Sequence, residues 1–330
     1  MQAAAVVARK APCALSGRSM KAVLPAVSRP ALEQNLPEEV AAYWFSEPDE
    51  ALREVIDADI AWLDFHSAEL VARGIEVALR LQWLFTVAAG VEMFDLAALR
   101  EKGAILTDGA GVNAAVVADY AVMGILVAAK RYDEVVRQAG RHQWAAAAPG
   151  VVELDGSCAL IIGYGAIGTK IADRLRAFGV TVTGVTRSGR DGTVSAERWR
   201  PRLGEFDWVV LAAPSTEQTH ALIGPAELAA MRSSAWLINI ARGDLVDQDA
   251  LIDALSTGRI GGAFLDTVSP EPLPADHPLW SAPNCLMTMH LAGRSQSRLV
   301  ERGAALFLEN LQAFLAGGLM RNVVDLDRGY

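Results

Sequence analysis

The stretch that most constrains what this chain can fold into is residues 160–168, LIIGYGAIG, an apolar run that breaks into three glycines and passes straight into a helical pattern. A β-strand that ends this way exposes bare backbone N–H groups at the positive end of a helix, a natural seat for a pyrophosphate. The glycine spacing alone is a weak signal, and its surroundings strengthen it. Residues 159–162 read as a buried strand, and Ile167, Ile171, Leu175 and Phe178 recur at helical spacing. The stretch predicts dinucleotide binding through Gly163, Tyr164, Gly165, Ala166, Ile167 and Gly168; the plainer reading is a structural strand-turn-helix.

A chain of 330 residues is long for one hydrophobic core, so two domains are expected. Up to residue 107, strands are read at 21–27, 41–45, 60–65, 81–87 and 104–107, with helices at 49–56, 67–72 and 95–102, which makes a small parallel α/β domain. Residues 113–131 give a long, mostly apolar helix, suited to burial between layers or to joining two domains or two subunits. Residues 140–150, with Trp144, read as a loop. Further strands follow at 159–162, 181–185, 208–211, 235–239, 262–265 and 286–288, and helices at 168–178, 195–200, 225–230, 248–256 and 298–316. The predicted fold class is α/β, with two Rossmann-like doubly wound parallel-sheet domains. The last helix is expected to return to the first domain. That makes 20–112 plus 296–330 a flavodoxin-like substrate domain and 113–295 an inserted dinucleotide-binding domain.

With 52% hydrophobic and 21% charged residues the composition is that of an ordinary globular protein, and a net charge of -9 argues against nucleic acid or an anionic membrane as the main partner. No apolar run reaches bilayer length. Cys13, Cys158 and Cys285 are far apart and in no metal-ligand spacing, which suggests reduced structural thiols, a cytoplasmic location and no metal. Residues 1–19 carry Arg9, Lys10 and Arg18 and no acid; this faintly resembles a transit peptide, and the reading adopted is a poorly ordered extension.

The strand 181–185 is followed by Thr186, Arg187, Ser188, Gly189 and Arg190, where an NAD-binding unit usually carries an acid for the ribose hydroxyls. Arginine pairs a 2′-phosphate that an acid would repel, so NADP is the expected cofactor, with NAD possible. The alternative is that Arg187 and Arg190 are solvated loop charges partly cancelled by Asp191.

Among five histidines, His66, His142, His220 and His277 read as surface or packing residues. His290 follows the strand 286–288 and precedes Ala292 and Gly293, at the edge where a bound cofactor's reactive ring would lie; there it can give or take the proton that accompanies hydride transfer. Position alone leaves a structural histidine equally open. Two more strand ends converge on it. Residues 236–240 run into Ala241-Arg242-Gly243-Asp244, and 262–266 run into Ser269-Pro270-Glu271-Pro272. Arginine suits a substrate carboxylate, and a carboxylate beside an imidazole favours its protonated form.

LIIGYGAIG, NIARGDLVDQDAL, FLDTVSPEPLPADHPLW and MHLAGRS, in this order, resemble the D-isomer-specific 2-hydroxyacid dehydrogenases, including glyoxylate and hydroxypyruvate reductases. The resemblance runs from about residue 81 to the end. It implies that Arg242 binds the carboxylate and carbonyl of a 2-oxo acid, that His290 is the proton donor in reduction, and that Glu271 is its partner. The family's substrate loop matches Ala88-Ala89-Gly90-Val91, so the N–H groups of Ala89, Gly90 and Val91 are implied to bind the carboxylate; a simple strand-to-helix turn would look the same. Ala213 and Pro214 match residues on the adenine side. Ile240, Ala241, Asp266 and Gly293 match positions near the cofactor, with Asp266 close to the carboxamide; an aspartate capping its own turn is the other reading.

Two departures bear on the substrate pocket: Met289 stands where the family commonly has proline, and Asp119-Tyr120 stand where Glu-His is usual. Glu271 argues against the formate-oxidising branch, which carries glutamine there. The expected function is NAD(P)-dependent reduction of a small 2-oxo acid to a D-2-hydroxy acid. The alternatives are a phosphite-type oxyanion dehydrogenase and a non-catalytic nucleotide-sensing binding protein. The apolar helix 113–131 and Trp144 point to a homodimer.

Overall fold

The computed structural model describes residues 18–65, 67–189 and 192–329. The readings made on Cys13, His66 and Arg190, and most of the 1–19 extension, lie outside them. The chain divides into two compact units, one running to Asn113 and resuming at Ser297, the other spanning Ala114–Gln296.

In the first unit five strands, β1 (Met20–Pro25), β2 (Val40–Phe45), β3 (Ile60–Trp62), β4 (Trp83–Phe85) and β5 (Ile105–Thr107), form one parallel sheet in the order β2-β1-β3-β4-β5. This is the flavodoxin-like order, with its reversal between β1 and β3. Helices α1 (Arg29–Leu32), α2 (Pro48–Glu54), α3 (Ala68–Val77) and α4 (Leu96–Lys102) alternate with the strands. Strands covered on both faces need apolar side chains in both directions, and β3 and β4 are buried throughout. One face packs Leu63, Leu84 and Leu106 against α3 and α4.

In the second unit α5 (Ala114–Lys130) and α6 (Tyr132–Gly140) precede the strands β6 (Cys158–Ile162), β7 (Thr181–Thr186), β8 (Val194–Ser195), β9 (Trp208–Leu211), β10 (Trp236–Asn239), β11 (Gly262–Leu265) and β12 (Cys285–Met287). They form a parallel sheet in the order β12-β11-β10-β9-β6-β7-β8, with helices α7 (Ala166–Ala177), α8 (Pro225–Ala230) and α9 (Gln248–Ser256). The chain reverses direction across the sheet at β6, between β7 and β9, the switch point where such sheets take ligands. The last helix, α10 (Leu299–Leu315), belongs to the first unit. There Phe307 stacks on Trp83 at 4.8 Å, and Val324 donates to the carbonyl of Leu106 at 2.9 Å.

Two local readings need correction, and one element was not read. Residues 195–200 do not form a helix: Ser195 closes strand β8 against Thr186 and bridges to Ser188, and a 3-10 turn at Arg200–Glu205 follows. Pairing at the sheet edge outweighs helical spacing there. The helix after the glycines begins at Ala166, two residues before the predicted start. Residues 132–140, most of which carried no reading, are helical: Arg131 adopts a left-handed conformation, φ 47°, and a new helix starts across the bend.

Asp108 opens the connection from β5 towards α5. Burial pushes its carboxyl up to about 6, against the opposing pull of the Ala110 N–H that it accepts. A carboxyl whose pKa is raised on folding stabilises the fold while protonated, and loses that contribution as pH rises through the folded value. Stability is therefore expected to fall by on the order of 1–3 kcal/mol between about pH 4 and pH 6. Asp108→Asn should flatten that slope and raise the thermal midpoint above pH 6, as followed by circular dichroism melts across the pH range.

Candidate active site

The site in the second unit is assembled from the first residues beyond its strands. At the end of β6, Gly163 takes φ 98°, and a Cβ there would lie 2.4 Å from the backbone of Ala212 and Ala213. Only glycine permits that turn and that approach, which brings the backbone beyond β9 against the glycine turn. Gly168 is buried, where a Cβ would meet the carbonyl oxygen of Gly163 at 2.2 Å, so helix and turn close on each other. Gly165 differs: a Cβ on it would meet nothing within 4 Å. It is the exposed N-cap of α7, with no side-chain cap and no acid in the first turn. The N–H groups of Ala166, Ile167 and Gly168 have no carbonyl to pair with inside the helix. Open space, free donors and the helix dipole fit a pyrophosphate. Tyr164 packs its ring on Gly184 of β7, where a Cβ would sit 2.3 Å from it, and its hydroxyl accepts from Arg176 at 2.8 Å. Its side chain thus props the glycine turn.

Past β7, the Thr186 hydroxyl shares a hydrogen bond with the Thr193 hydroxyl at 2.7 Å and accepts from Gly189 N at 3.1 Å, so it shapes the loop. Arg187 and Ser188 are exposed. Pro214, beyond β9, is exposed, and its carbonyl accepts from Thr219 Oγ1 at 2.7 Å.

Past β10, Ile240 and Ala241 are buried. The fully buried Asn239 closes the turn, accepting from Ala241 N at 3.1 Å and donating to the carbonyl of Arg242 at 2.8 Å. The Arg242 guanidinium donates to the Ala241 carbonyl at 2.9 Å. A Cβ on Gly243 would lie 2.0 Å from the Val268 carbonyl carbon, so the arginine turn is packed directly on the turn that follows β11. Gln248 clamps that second turn: its amide accepts from Ser269 N at 3.0 Å and donates to the Ser269 carbonyl. Glu271 accepts from Val268 N at 3.1 Å through one oxygen, and its other oxygen lies 2.6 Å from His290 Nδ1. A carboxylate only accepts, so Nδ1 carries the proton of this contact and Nε2 is not engaged by Glu271.

His290 sits on a turn held by Asp266. The Asp266 carboxylate, 2% exposed, accepts from the Thr288 hydroxyl at 2.7 Å, Leu291 N at 2.9 Å and Ala292 N at 3.2 Å, and its carbonyl takes His290 N at 2.5 Å. The turn that Asp266 holds is not its own but the one after β12. Gly293 follows, its carbonyl accepting from Gln296 at 2.8 Å. Sequence reasoning passed over Asn239, Gln248 and Thr288. The signal available for Asn239 was a buried-strand position filled by an amide, whereas nothing local marked Gln248.

In the first unit, Ala89, Gly90 and Val91 follow β4; Ala89 is exposed and Val91 buried. Their N–H groups donate no hydrogen bond to the described residues, whereas Val87 N donates to Asp64 and Ala88 N to Thr86. Burial pushes the Cys285 thiol up to about 12, so it stays protonated. Among the described residues no cluster of His, Cys, Asp or Glu suited to a metal is found, and no helix is long and apolar enough to cross a membrane.

Comparison with known proteins places these features. Residues 122–292, which contain Arg242, Glu271 and His290, match the family model described as D-isomer specific 2-hydroxyacid dehydrogenase, NAD binding domain. Glyoxylate/hydroxypyruvate reductase B of Pectobacterium carotovorum is 34% identical over 265 residues, covering 76% of this chain and 81% of the relative. A D-isomer specific 2-hydroxyacid dehydrogenase family protein from Aeromonas salmonicida superposes with a TM-score of 0.84 at 26% identity, over 94% of this chain and 100% of that one. The TT0316 protein of Thermus thermophilus does so with a TM-score of 0.73 at 33% identity, over 92% and 100%. The glycine turn at the sheet's switch point, the arginine and histidine strand ends and these matches together show that the chain belongs to the D-isomer specific 2-hydroxyacid dehydrogenases, oxidoreductases that work with a nicotinamide dinucleotide.

Proposed function

We propose that this protein reduces a small 2-oxo acid of the glyoxylate or hydroxypyruvate class to its D-2-hydroxy acid, with NADPH preferred over NADH. The observation that carries the reading is the His290–Glu271 pair at 2.6 Å beside the arginine turn. When bound, the dinucleotide supplies a hydride to the carbonyl carbon. His290 Nε2 gives its proton to the carbonyl oxygen, and Glu271 stabilises the imidazolium before transfer and keeps the ring oriented afterwards. Arg242 pairs with the substrate's carboxylate and carbonyl oxygens, where its charge opposes the negative charge that develops. In the first unit, the N–H groups of Ala89, Gly90 and Val91 are assigned to the substrate carboxylate.

His290→Asn is expected to lower kcat by about 100- to 10,000-fold, the usual worth of a general acid. The dissociation constant for the dinucleotide, read by fluorescence titration, should stay within a factor of about two of wild type, since the glycine turn that seats it is untouched. Turnover of glyoxylate and hydroxypyruvate at the wild-type rate would remove His290 from the chemistry.

NADPH preference rests on the absence of an acid at the end of β7 and on Arg187. Arg187→Ala should raise KM for NADPH by about tenfold or more while leaving NADH nearly unchanged, since one charged contact to a phosphate is worth about 1.5–3 kcal/mol. Equal effects on both cofactors would reject the phosphate contact.

A homodimer is assigned to the outer face of α5 and α6. Met123 of α5 and Phe178, just past α7, line a shallow groove of about 540 Å³ together with Asp119, Lys130 and Arg174, and Val136 of α6 and Trp144 beyond it are exposed as well, Trp144 at 98%. So much apolar surface marks an interaction site. Light scattering should give a mass twice the 35.2 kDa of the chain, and Met123→Glu with Trp144→Glu should return it to a monomer.

A further inference from the structure

We infer that Asp64 is a positioning residue that sets the shape of the loop Ala89–Val91 and thereby its affinity for the substrate carboxylate; this rests on the assignment of that loop in the reading above. Strands β3 and β4 are parallel neighbours, Trp62 beside Phe85 at their ends. Asp64 lies two residues beyond β3, and Thr86 and Val87 lie immediately beyond β4. The carboxylate spans the two strand ends, accepting from the Trp62 indole N–H at 2.5 Å, from the Thr86 hydroxyl and from Val87 N at 2.9 Å.

The direction of these bonds matters. A carboxylate only accepts, so the Thr86 hydroxyl must donate to it, and this turns the oxygen's lone pairs towards Ala88 N, which it accepts at 3.1 Å. Thr86 is fully buried, so its hydroxyl depends on such a partner. The Ala88 carbonyl is fixed in turn by Gly109 N at 2.7 Å. Asp64 and Thr86 thus occupy the N–H groups of Val87 and Ala88, and the next three N–H groups, those of Ala89, Gly90 and Val91, are the ones left for an anion. Asp64 decides where the row of free donors starts.

The sign of the charge separates position from electrostatics. A carboxylate at the base of a loop that binds another carboxylate repels it, so removing the charge alone should tighten substrate binding. Removing the hold on the loop should weaken it. Asp64→Asn does both, because one of its two acceptor oxygens becomes an NH₂ donor that faces N–H or O–H donors. Thr86→Val cuts the relay to Ala88 without touching the charge, and Thr86→Ser restores the hydroxyl.

The test measures amide hydrogen exchange of residues 86–91 and steady-state kinetics with glyoxylate on the full-length protein. Asp64→Asn and Thr86→Val should both speed exchange at Val87 or Ala88 by about tenfold or more and raise KM for glyoxylate by a similar factor. The decrease in kcat should be smaller, the dissociation constant for NADPH should hold, and Thr86→Ser should lie near wild type. Unchanged exchange, or an unchanged or lowered KM in folded Asp64→Asn, overturns the inference. If wild type turns over no 2-oxo acid while the variants still loosen the loop, the proposed function has failed and the hold of Asp64 on the loop stands.

Discussion

The structure depends on how a parallel strand buried on both faces comes to an end. Inside the sheet each backbone N–H finds a neighbour's carbonyl; one residue past the last pair it does not, and a buried donor without a partner costs about 1–3 kcal/mol. In this chain the debt is met by polar side chains placed at strand ends. Asn239 closes the turn after β10, Asp266 closes the turn after β12 from the end of β11, and Asp64 closes the loop after β4 from the end of β3. In the two carboxylate cases the group that satisfies a strand end comes from the adjacent strand. Each loop is therefore fixed relative to its neighbour in the sheet rather than to its own strand alone.

This division of labour separates two kinds of acid. Asp266 and Asp64 accept several N–H or O–H donors from the loops beside them, so they act as struts. Glu271 is tied to the protein by one backbone N–H and turns its other oxygen to His290, the residue assigned the proton in the proposed reaction. The same logic distinguishes the N–H groups. Those of Leu291 and Ala292 donate to Asp266, whereas those at the start of α7 and in residues 89–91 have no acceptor among the described residues, and these are the places assigned to the phosphates and to the carboxylate.

Much of the frame is legible in the sequence because buried parallel strands are written as apolar runs and because Gly163 answers a backbone demand that no other residue meets. Arg242, Glu271 and His290 are legible as strand-end residues from the order of strands and turns, and the motifs add only the roles that the resemblance implies. What was not legible follows from interactions distant in sequence. Nothing around Asp64 shows that its partners are Thr86 and Val87, and nothing around Gln248 shows that it clamps Ser269. Residues 195–200 carry helix-compatible spacing, yet Ser195 is captured by the sheet edge. The helix at 132–140 was missed because its start depends on a left-handed Arg131, a conformation that its residue type does not announce.

The departure at Met289 has a backbone meaning. Met289 and His290 both adopt left-handed conformations, φ 53° and 57°, which proline, locked near −65°, cannot enter. The turn that presents His290 here is thus incompatible with the proline common to the family at this position. Two consecutive non-glycine residues in this region cost about 1–2 kcal/mol each. The offset lies in Asp266, whose carbonyl binds His290 within the strained pair and whose carboxylate binds residues 288, 291 and 292 on both sides of it. Proline would pre-set its own backbone angle before folding. Met289 leaves that to the aspartate at the end of β11, so the orientation of the imidazole is set by hydrogen bonds from the neighbouring strand.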